Sequence, residues 1–359
     1  MTNPSKPRIS SHDVARKAGV SQSTVSLVLN GRSDVRIPES TRQRVLEAAR
    51  ELNYARNAAA RALVTGKTHR IGVLPIHPRC FLDHGSYYGN LITGIIAGAL
   101  RFNYNLLLHS AFHPNWRDTY EDILSGSADG VLLIGRPPRD ELTLALLEAR
   151  YPTVCISYHP DASEYHSVDC DNITGGYLAA QHLLELGHRH LLYDDSDDPD
   201  YSWIQERRQG ILRALEDAGL DASHLLSFGG PVARTGQLLK VLRADKNAPT
   251  ALLFNDEVGA KGVAEALPNY GFRVPEDVSI LNFNSTAISA HARPPLTSIG
   301  QPLGDIGEGA VEMLIGIVEG HDVPYGTRRF PMHLDIRAST APAPTPDPSP
   351  INGRGEIRG

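Results

Sequence analysis

The chain has 359 residues, 41% hydrophobic and 21% charged, enough to bury a sizeable core and divide into two or three globular units. Its formal charge of −6 is segregated: residues 1–66 carry 11 Lys and Arg against 5 Asp and Glu, a balance of +6 that leaves −12 for the rest. A basic head on an acidic body suits approach to phosphates by one end only, while Cys80, Cys155 and Cys170, an odd number with no close pair, argue against both a disulfide framework and a zinc site. No run has the apolar length of a signal peptide or membrane span, so the expected location is the cytoplasm, with no membrane partner.

The first elements lie between Ser10 and Gly31, which spell two short helices and a tight turn. Ser10 with Asp13 three residues on predicts a capping box, and Gly19 tolerates the positive φ that ends a helix. Ser21 can cap the second helix, whose Val25, Val28 and Leu29 form an inward stripe and leave Gln22, Ser23, Ser26 and Leu27 facing outward. Those outward groups suit base edges: Gln pairs with adenine, Ser adapts to several bases and Leu meets a thymine methyl. A recognition helix carries such chemistry near its N-terminus. The plainer reading is a helical bundle with a solvated polar face; packing positions Ala15, Gly19 and Val20 weigh against it. Arg16, Lys17, Arg32 and Arg36 are candidate phosphate contacts, each also readable as a solvated charge. A third helix over residues 40–53 presents Val45, Ala48, Ala49 and Leu52 to close the small core, and Asn57 can cap a further helix too short to be stable alone.

From Arg70 onward, strand-like runs alternate with helical patterns: Arg70–Pro75, Asn105–His109, Gly130–Ile134, Thr153–Ser157, His190–Tyr193, Thr250–Phe254 and Val278–Phe283. The alternation predicts parallel sheets with covering helices, and its length predicts two similar lobes with a ligand cleft between them. Residues 341–359 hold five prolines and almost nothing apolar, which predicts a disordered tail. No phosphate-binding G-x-x-x-x-G-K-[ST], G-x-S-x-G elbow or metal-spaced His/Cys cluster occurs, and His182, His188 and His190 straddle a helix-to-strand turn, so no enzyme, cofactor or metal site is expected. A solute-binding protein would share the two lobes but need an export signal, and would have no use for the basic head.

Asp13-Val-Ala, Ala18-Gly-Val-Ser, Thr24-Val-Ser, Leu29-Asn-Gly, Thr41-Arg, Leu52-Asn-Tyr54, Asn57 and Ala60-Arg61-Ala-Leu63 together resemble the head and hinge of the LacI/GalR family of transcriptional regulators. Ile71-Gly-Val-Leu, Ala128-Asp-Gly-Val131, Asp171-Asn172, Gly175-Gly176, Leu186-Gly-His188, Asn255-Asp256, Val274-Pro-Glu-Asp-Val-Ser279 and Arg337-Ala-Ser-Thr continue the resemblance over the body, leaving only the tail uncovered. It implies an α/β protein with a three-helix helix-turn-helix head (1–56), a hinge helix and linker (57–67) and a two-lobed periplasmic-binding-protein-like body with parallel sheets (68–340). The N-lobe is expected over about 68–168 and 301–325, the C-lobe over about 169–300 and 326–340.

The same resemblance implies a regulator, most simply a repressor, that binds a near-palindromic double-stranded operator as a homodimer, with a tetramer left open. Its DNA contacts would come from Ser11, Arg16, Ser21, Gln22, Ser23, Thr24, Ser26, Leu27, Asn30, Arg32, Tyr54, Asn57, Ala60, Arg61 and Leu63, the last a minor-groove wedge beside Ala60. Effector contacts are implied for Arg207, with adjacent Arg208 leaving the register open, and for Asn255, which with Asp256 resembles a pair that contacts the ligand and orders the cleft. Tyr87 and Tyr88 are implied too, though core or dimer packing explains them equally, as does Trp203, for which burial is the plainer reading. Ser157 and Asn284 stand where the family often has sugar-gripping carboxylates. The effector class is therefore open among a sugar, glycoside, nucleoside or carboxylate, and control by a protein partner is the alternative reading.

Overall fold

The computed structural model describes residues 9–29, 35–55, 62, 66–77, 80, 86–111, 113–195, 201–228, 235–244 and 247–344. They form two units, divided between Thr68 and His69.

In the first unit, α1 (Ser11–Ala18), α2 (Gln22–Leu29) and α3 (Glu39–Glu51) enclose Val14, Ala15, Ala18, Val25, Val28, Leu29, Val45 and Ala48. Local chemistry sets the ends of α1. Ser10 Oγ accepts from Asp13 N at 3.4 Å while Asp13 Oδ2 accepts from Ser10 N at 3.0 Å, a reciprocal cap, and Gly19 leaves the helix at φ 66°. Ser21 Oγ accepts from Thr24 N at 3.1 Å and starts α2. So short a bundle depends on these caps because its buried apolar area is small.

The second unit holds two six-stranded sheets. The first lobe contains β1 (Arg70–Pro75), α4 (Tyr87–Arg101), β2 (Asn105–Leu108), α5 (Trp116–Leu124), β3 (Gly130–Ile134), α6 (Glu141–Glu148), β4 (Thr153–Ile156) and β5 (His166–Cys170). The chain then enters the second lobe through α7 (Asn172–Glu185), β6 (Leu191–Asp194), α8 (Ser202–Asp217), β7 (Leu225–Ser227), α9 (Thr235–Leu242), β8 (Ala251–Phe254), α10 (Glu257–Ala266), β9 (Ser279–Phe283), α11 (Ala287–Ala290) and β10 (Thr297–Gly300). It returns for α12 (Leu303–Glu319) and β11 (Gly326–Phe330), and ends at β12 (His333–Asp335) in the second sheet.

Sheet orders are β2-β1-β3-β4-β5-β11 and β7-β6-β8-β9-β10-β12, so each order reverses once, beside β1 and beside β6. All pairings are parallel except β10 with β12. Ligands of open α/β sheets bind at that reversal, outside the strands' C-terminal ends. The chain passes between lobes three times, near Asp171, Gln301 and Pro331.

Two sequence expectations shift here. A lobe boundary near 325 assigned Gly326–Phe330 to the second lobe, but this strand pairs in parallel with His166–Cys170 of the first, where the edge of β5 offers its backbone a partner. Residues 341 and 343, expected in the tail, are held by the second lobe: Ala341 N donates to Ser279 Oγ at 3.1 Å and Ala343 N to Leu186 O at 2.8 Å. His182 and His188 serve this anchoring: His182 Nε2 lies 3.0 Å from Thr340 Oγ1 and His188 Nε2 lies 3.0 Å from Ala341 O.

Close helix pairs back both sheets. On α7 and α8, a Cβ at Gly176 would overlap the Arg207 carbonyl oxygen and one at Gly210 the Ile173 carbonyl oxygen, so only glycine permits this approach. On α4 and α12, Gly94 meets the backbone of Gly304, and a Cβ at Gly307 would lie 2.6 Å from Ile95 N. Gly210→Ala is expected to destabilise the protein by about 1–3 kcal/mol through overpacking. Gly262→Ala, on α10 with no neighbour near the added methyl, is expected to be neutral or stabilising by about 0.5–1 kcal/mol. Chemical denaturation checks both, and equal effects of the two substitutions would refute the packing assignment.

Candidate functional sites: a DNA-reading helix and an interlobe cavity

The exposed side of α2 begins with a cluster of small polar groups. Ser21 Oγ lies 2.7 Å from Ser23 Oγ and 2.8 Å from Thr24 Oγ1, and Gln22 Nε2 donates to Ser11 Oγ at 2.8 Å, tying the start of α2 to the start of α1. Ser26 is exposed and Leu27 half-buried, whereas Val25, Val28 and Leu29 point into the core. Arg16 holds its guanidinium in solvent, 3.6 Å from Asp13, and Lys17 pairs with Glu51. Tyr54 packs half-buried on the head's core, so its ring supports the fold as well as any contact outside it. Asn30, Arg32, Asn57, Ala60, Arg61 and Leu63 lie outside the described residues.

In the body, Tyr87, Tyr88, Ser157, Trp203, Arg207, Asn255 and Asn284 all line one cavity of about 350 Å³. It sits where β1, β3, β4 and β5 of one sheet and β8 and β9 of the other deliver their C-terminal ends, with the starts of α4, α7, α8 and α10 around it. Gly135, Ser157 and Asn284 each follow a strand at left-handed φ of 67°, 66° and 73°. Such backbone is uncommon for serine and bends the chain sharply at the cavity wall.

Arg207 is the centre of the arrangement and only 4% exposed. Its Nε donates to Asn172 Oδ1 at 3.0 Å, and its Nη1 donates to Asn255 O at 3.2 Å and Asn255 Oδ1 at 3.1 Å. Its planar group lies 4.0 Å from the Phe283 ring centre and 4.7 Å from that of Trp203, a double cation–π contact. No described residue accepts from Nη2. Burial pulls the guanidinium pKa down, opposed by nearby Tyr193, Cys170 and Asp169, but a group this basic stays charged. Of the two adjacent arginines, Arg207 lines the cavity, while Arg208 turns away to Asp195 and Ser227.

The remaining polar groups are largely held by one another. Asn255 Nδ2 donates to Asp194 O at 2.5 Å and its Oδ1 accepts from Tyr193 at 2.7 Å. Tyr87 bonds Ser157, and Asn284 donates to Glu257 Oε2 at 2.8 Å while accepting from Gln301. Asp256 Oδ1 caps α10 by accepting from Gly259 N at 2.7 Å. Burial pushes the Asp169 carboxyl up to about 6, and burial likewise raises Glu257.

Asp169, Glu257, Gln301 and Tyr201, which the sequence did not bring forward, also line the cavity, as does Asn172, named there only as part of the resemblance. Asp171 caps α7, accepting from Thr174 N at 3.0 Å, and thereby aims the next residue inward. Ligand atoms of His159, Asp169 and Glu206 lie within 4.8 Å of one another, a spacing that a metal ion can bridge. The Arg329 guanidinium, however, already grips both Glu206 oxygens, at 2.8 and 3.1 Å. No helix among the described residues is long and apolar enough to cross a membrane.

Comparison with known proteins finds relatives of both units. Residues 11–57 match the family described as bacterial regulatory proteins, lacI family, and residues 180–340 match a periplasmic binding protein-like domain. The HTH-type transcriptional repressor PurR of Vibrio atlanticus (strain LGP32) is 30% identical over 333 residues, spanning 90% of this chain and 96% of that protein. Among solved structures, a complex of the transcriptional regulator CelR with cellobiose superposes with a TM-score of 0.68 at 26% identity, covering 92% of this chain and 100% of that one. The Lac repressor bound to ONPG in the repressed state gives 0.75 at 25% identity, covering 93% and 100%. The chain is therefore a member of the LacI family of bacterial regulatory proteins, a DNA-binding transcriptional regulator controlled by a small-molecule effector.

Proposed function

We propose that the protein represses transcription in the cytoplasm as a homodimer on a near-palindromic operator, read by Gln22, Ser23, Ser26 and Leu27 of α2, and that its effector occupies the cavity around Arg207. The gathering of six further side chains from both lobes around one cavity with the buried Arg207 guanidinium carries the effector reading. Only one end of the chain is basic, which supports the head as the DNA-facing unit.

The charge around the cavity favours one effector class. Arg207 is accompanied by Asp169, Asp256 and Glu257, so an incoming carboxylate would meet more anionic than cationic groups. Tyr87, Tyr88, Tyr201 and Trp203 add aromatic faces. A neutral polyhydroxylated ligand, a sugar, glycoside or nucleoside, fits both features, and the cellobiose held by CelR is of that kind. On the first lobe, Ile96 and Leu100 of α4 are 45% and 75% exposed one turn apart, and Leu108 of edge strand β2 is 46% exposed. This apolar face is our candidate for the dimer surface.

Thermal denaturation of the full-length protein against a panel of neutral sugars, glycosides, nucleosides and small carboxylates should show stabilisation by neutral members only, by about 2.7 kcal/mol at a hundredfold excess over Kd. Arg207→Met should abolish that gain; stabilisation by carboxylates alone would refute the assignment. Selection of operator sites from random duplexes should give a near-palindrome, and Gln22→Ala should relax preference at one symmetric pair of positions at a cost of about 1–3 kcal/mol. Leu100→Glu should yield monomers in sedimentation, and an unchanged dimer would move the interface elsewhere.

A further inference from the structure

Away from the three crossing segments, a half-buried polar cluster joins the two lobes among the described residues. Arg329, on β11 in the first-lobe sheet, forks onto Glu206 of α8 in the second lobe, with Nη2 to Oε1 at 2.8 Å and Nη1 to Oε2 at 3.1 Å. His159, which follows β4, places Nε2 3.4 Å from Glu206 Oε1 and is steadied by Thr327 Oγ1, 2.7 Å from its Nδ1. Arg329 Nη1 also approaches the carbonyl of Cys170, at the first crossing, at 3.4 Å. Glu206 keeps only 17% of its side chain exposed; burial opposes its ionisation, yet the His159 and Arg329 contacts outweigh that and bring its pKa down to about 2. A two-point bond between a charged fork and a part-buried carboxylate has a defined geometry that a single surface pair lacks.

Glu206 precedes Arg207 on the same helix. One side chain therefore binds the opposite lobe while the next enters the cavity, and a lobe movement that separates Arg329 from Glu206 carries Arg207 away from the first-lobe wall. We propose that Arg329, Glu206 and His159 form an interlobe clamp that sets the angle between the lobes and positions Arg207, so that effector affinity depends on residues the effector does not touch. Only this last consequence rests on the cavity being the effector site; the clamp itself does not. Asp169 and Asp171 also face Arg329, so neutral substitutions test the clamp more cleanly than charge reversals.

The test is hydrogen–deuterium exchange of the full-length, ligand-free protein and its variants Glu206→Gln, Arg329→Gln and the double substitution, read at the crossing segments around Gln301 and Pro331. Each single variant should speed exchange there by about tenfold, with the head and sheet interiors unchanged, and the double should do no more than either single, because both remove one bond. Arg329→Lys should be intermediate, retaining charge without the fork. Exchange at wild-type rates in the single variants, or single effects that add in full, would overturn the clamp. If a Gln variant exchanges throughout the chain, the Lys variant decides: faster exchange confined to the crossings supports the clamp, and wild-type rates overturn it. None of these readouts uses a ligand, so failure here is distinct from failure of the effector reading.

Discussion

The close contact between α7 and α8 governs the sensing half of this molecule. Gly176 and Gly210 let the two helix backbones touch, and that approach brings Asn172 within hydrogen-bond reach of Arg207. A guanidinium buried to 4% exposure is costly unless its donors are met, and two asparagines and two aromatic faces meet most of that need. What remains is a directed donor on a rigid stem beside a cavity. Preorganisation of this kind lowers the ordering cost of binding, because the protein groups are already oriented before a ligand arrives.

The first lobe repeats the device in its own terms. Gly94, Gly304 and Gly307 bring α4 and α12 together, which seats the start of α4, with Tyr87 and Tyr88, at the cavity wall. Both sheets reverse strand order once, and the cavity gathers residues beyond both reversal points: Ile76 and Gly135 after β1 and β3, Asn255 after β8. A ligand bridging the two walls therefore bears on the lobe angle directly. That is the structural basis on which occupancy can be coupled to the DNA-binding head.

Much of this was legible in sequence where the signal is local. The capping pair Ser10 and Asp13, the stop at Gly19 and the Val25, Val28, Leu29 stripe are short-range chemistry, and the structure places them as read. Strands β1, β3 and β8 announced themselves as apolar runs because both of their faces are covered. Strand β11 did not: Gly-Thr-Arg-Arg-Phe is an edge strand with exposed arginines, and only its pairing with β5 reveals its lobe. Asp169, Glu257 and Gln301 were equally silent, since they meet through tertiary convergence of segments up to 132 positions apart. Resemblance to known regulators brought Arg207 and Asn255 forward; nothing in their immediate neighbours would have done so.

The most direct test of coupling between cavity and head is operator affinity of the full-length protein, measured at one stated salt concentration with the cavity empty and then saturated. Coupling through the lobes requires the two affinities to differ by about 5–150-fold, with operator DNA changing ligand affinity by the same factor. Identical operator affinity in the empty and saturated protein would contradict it.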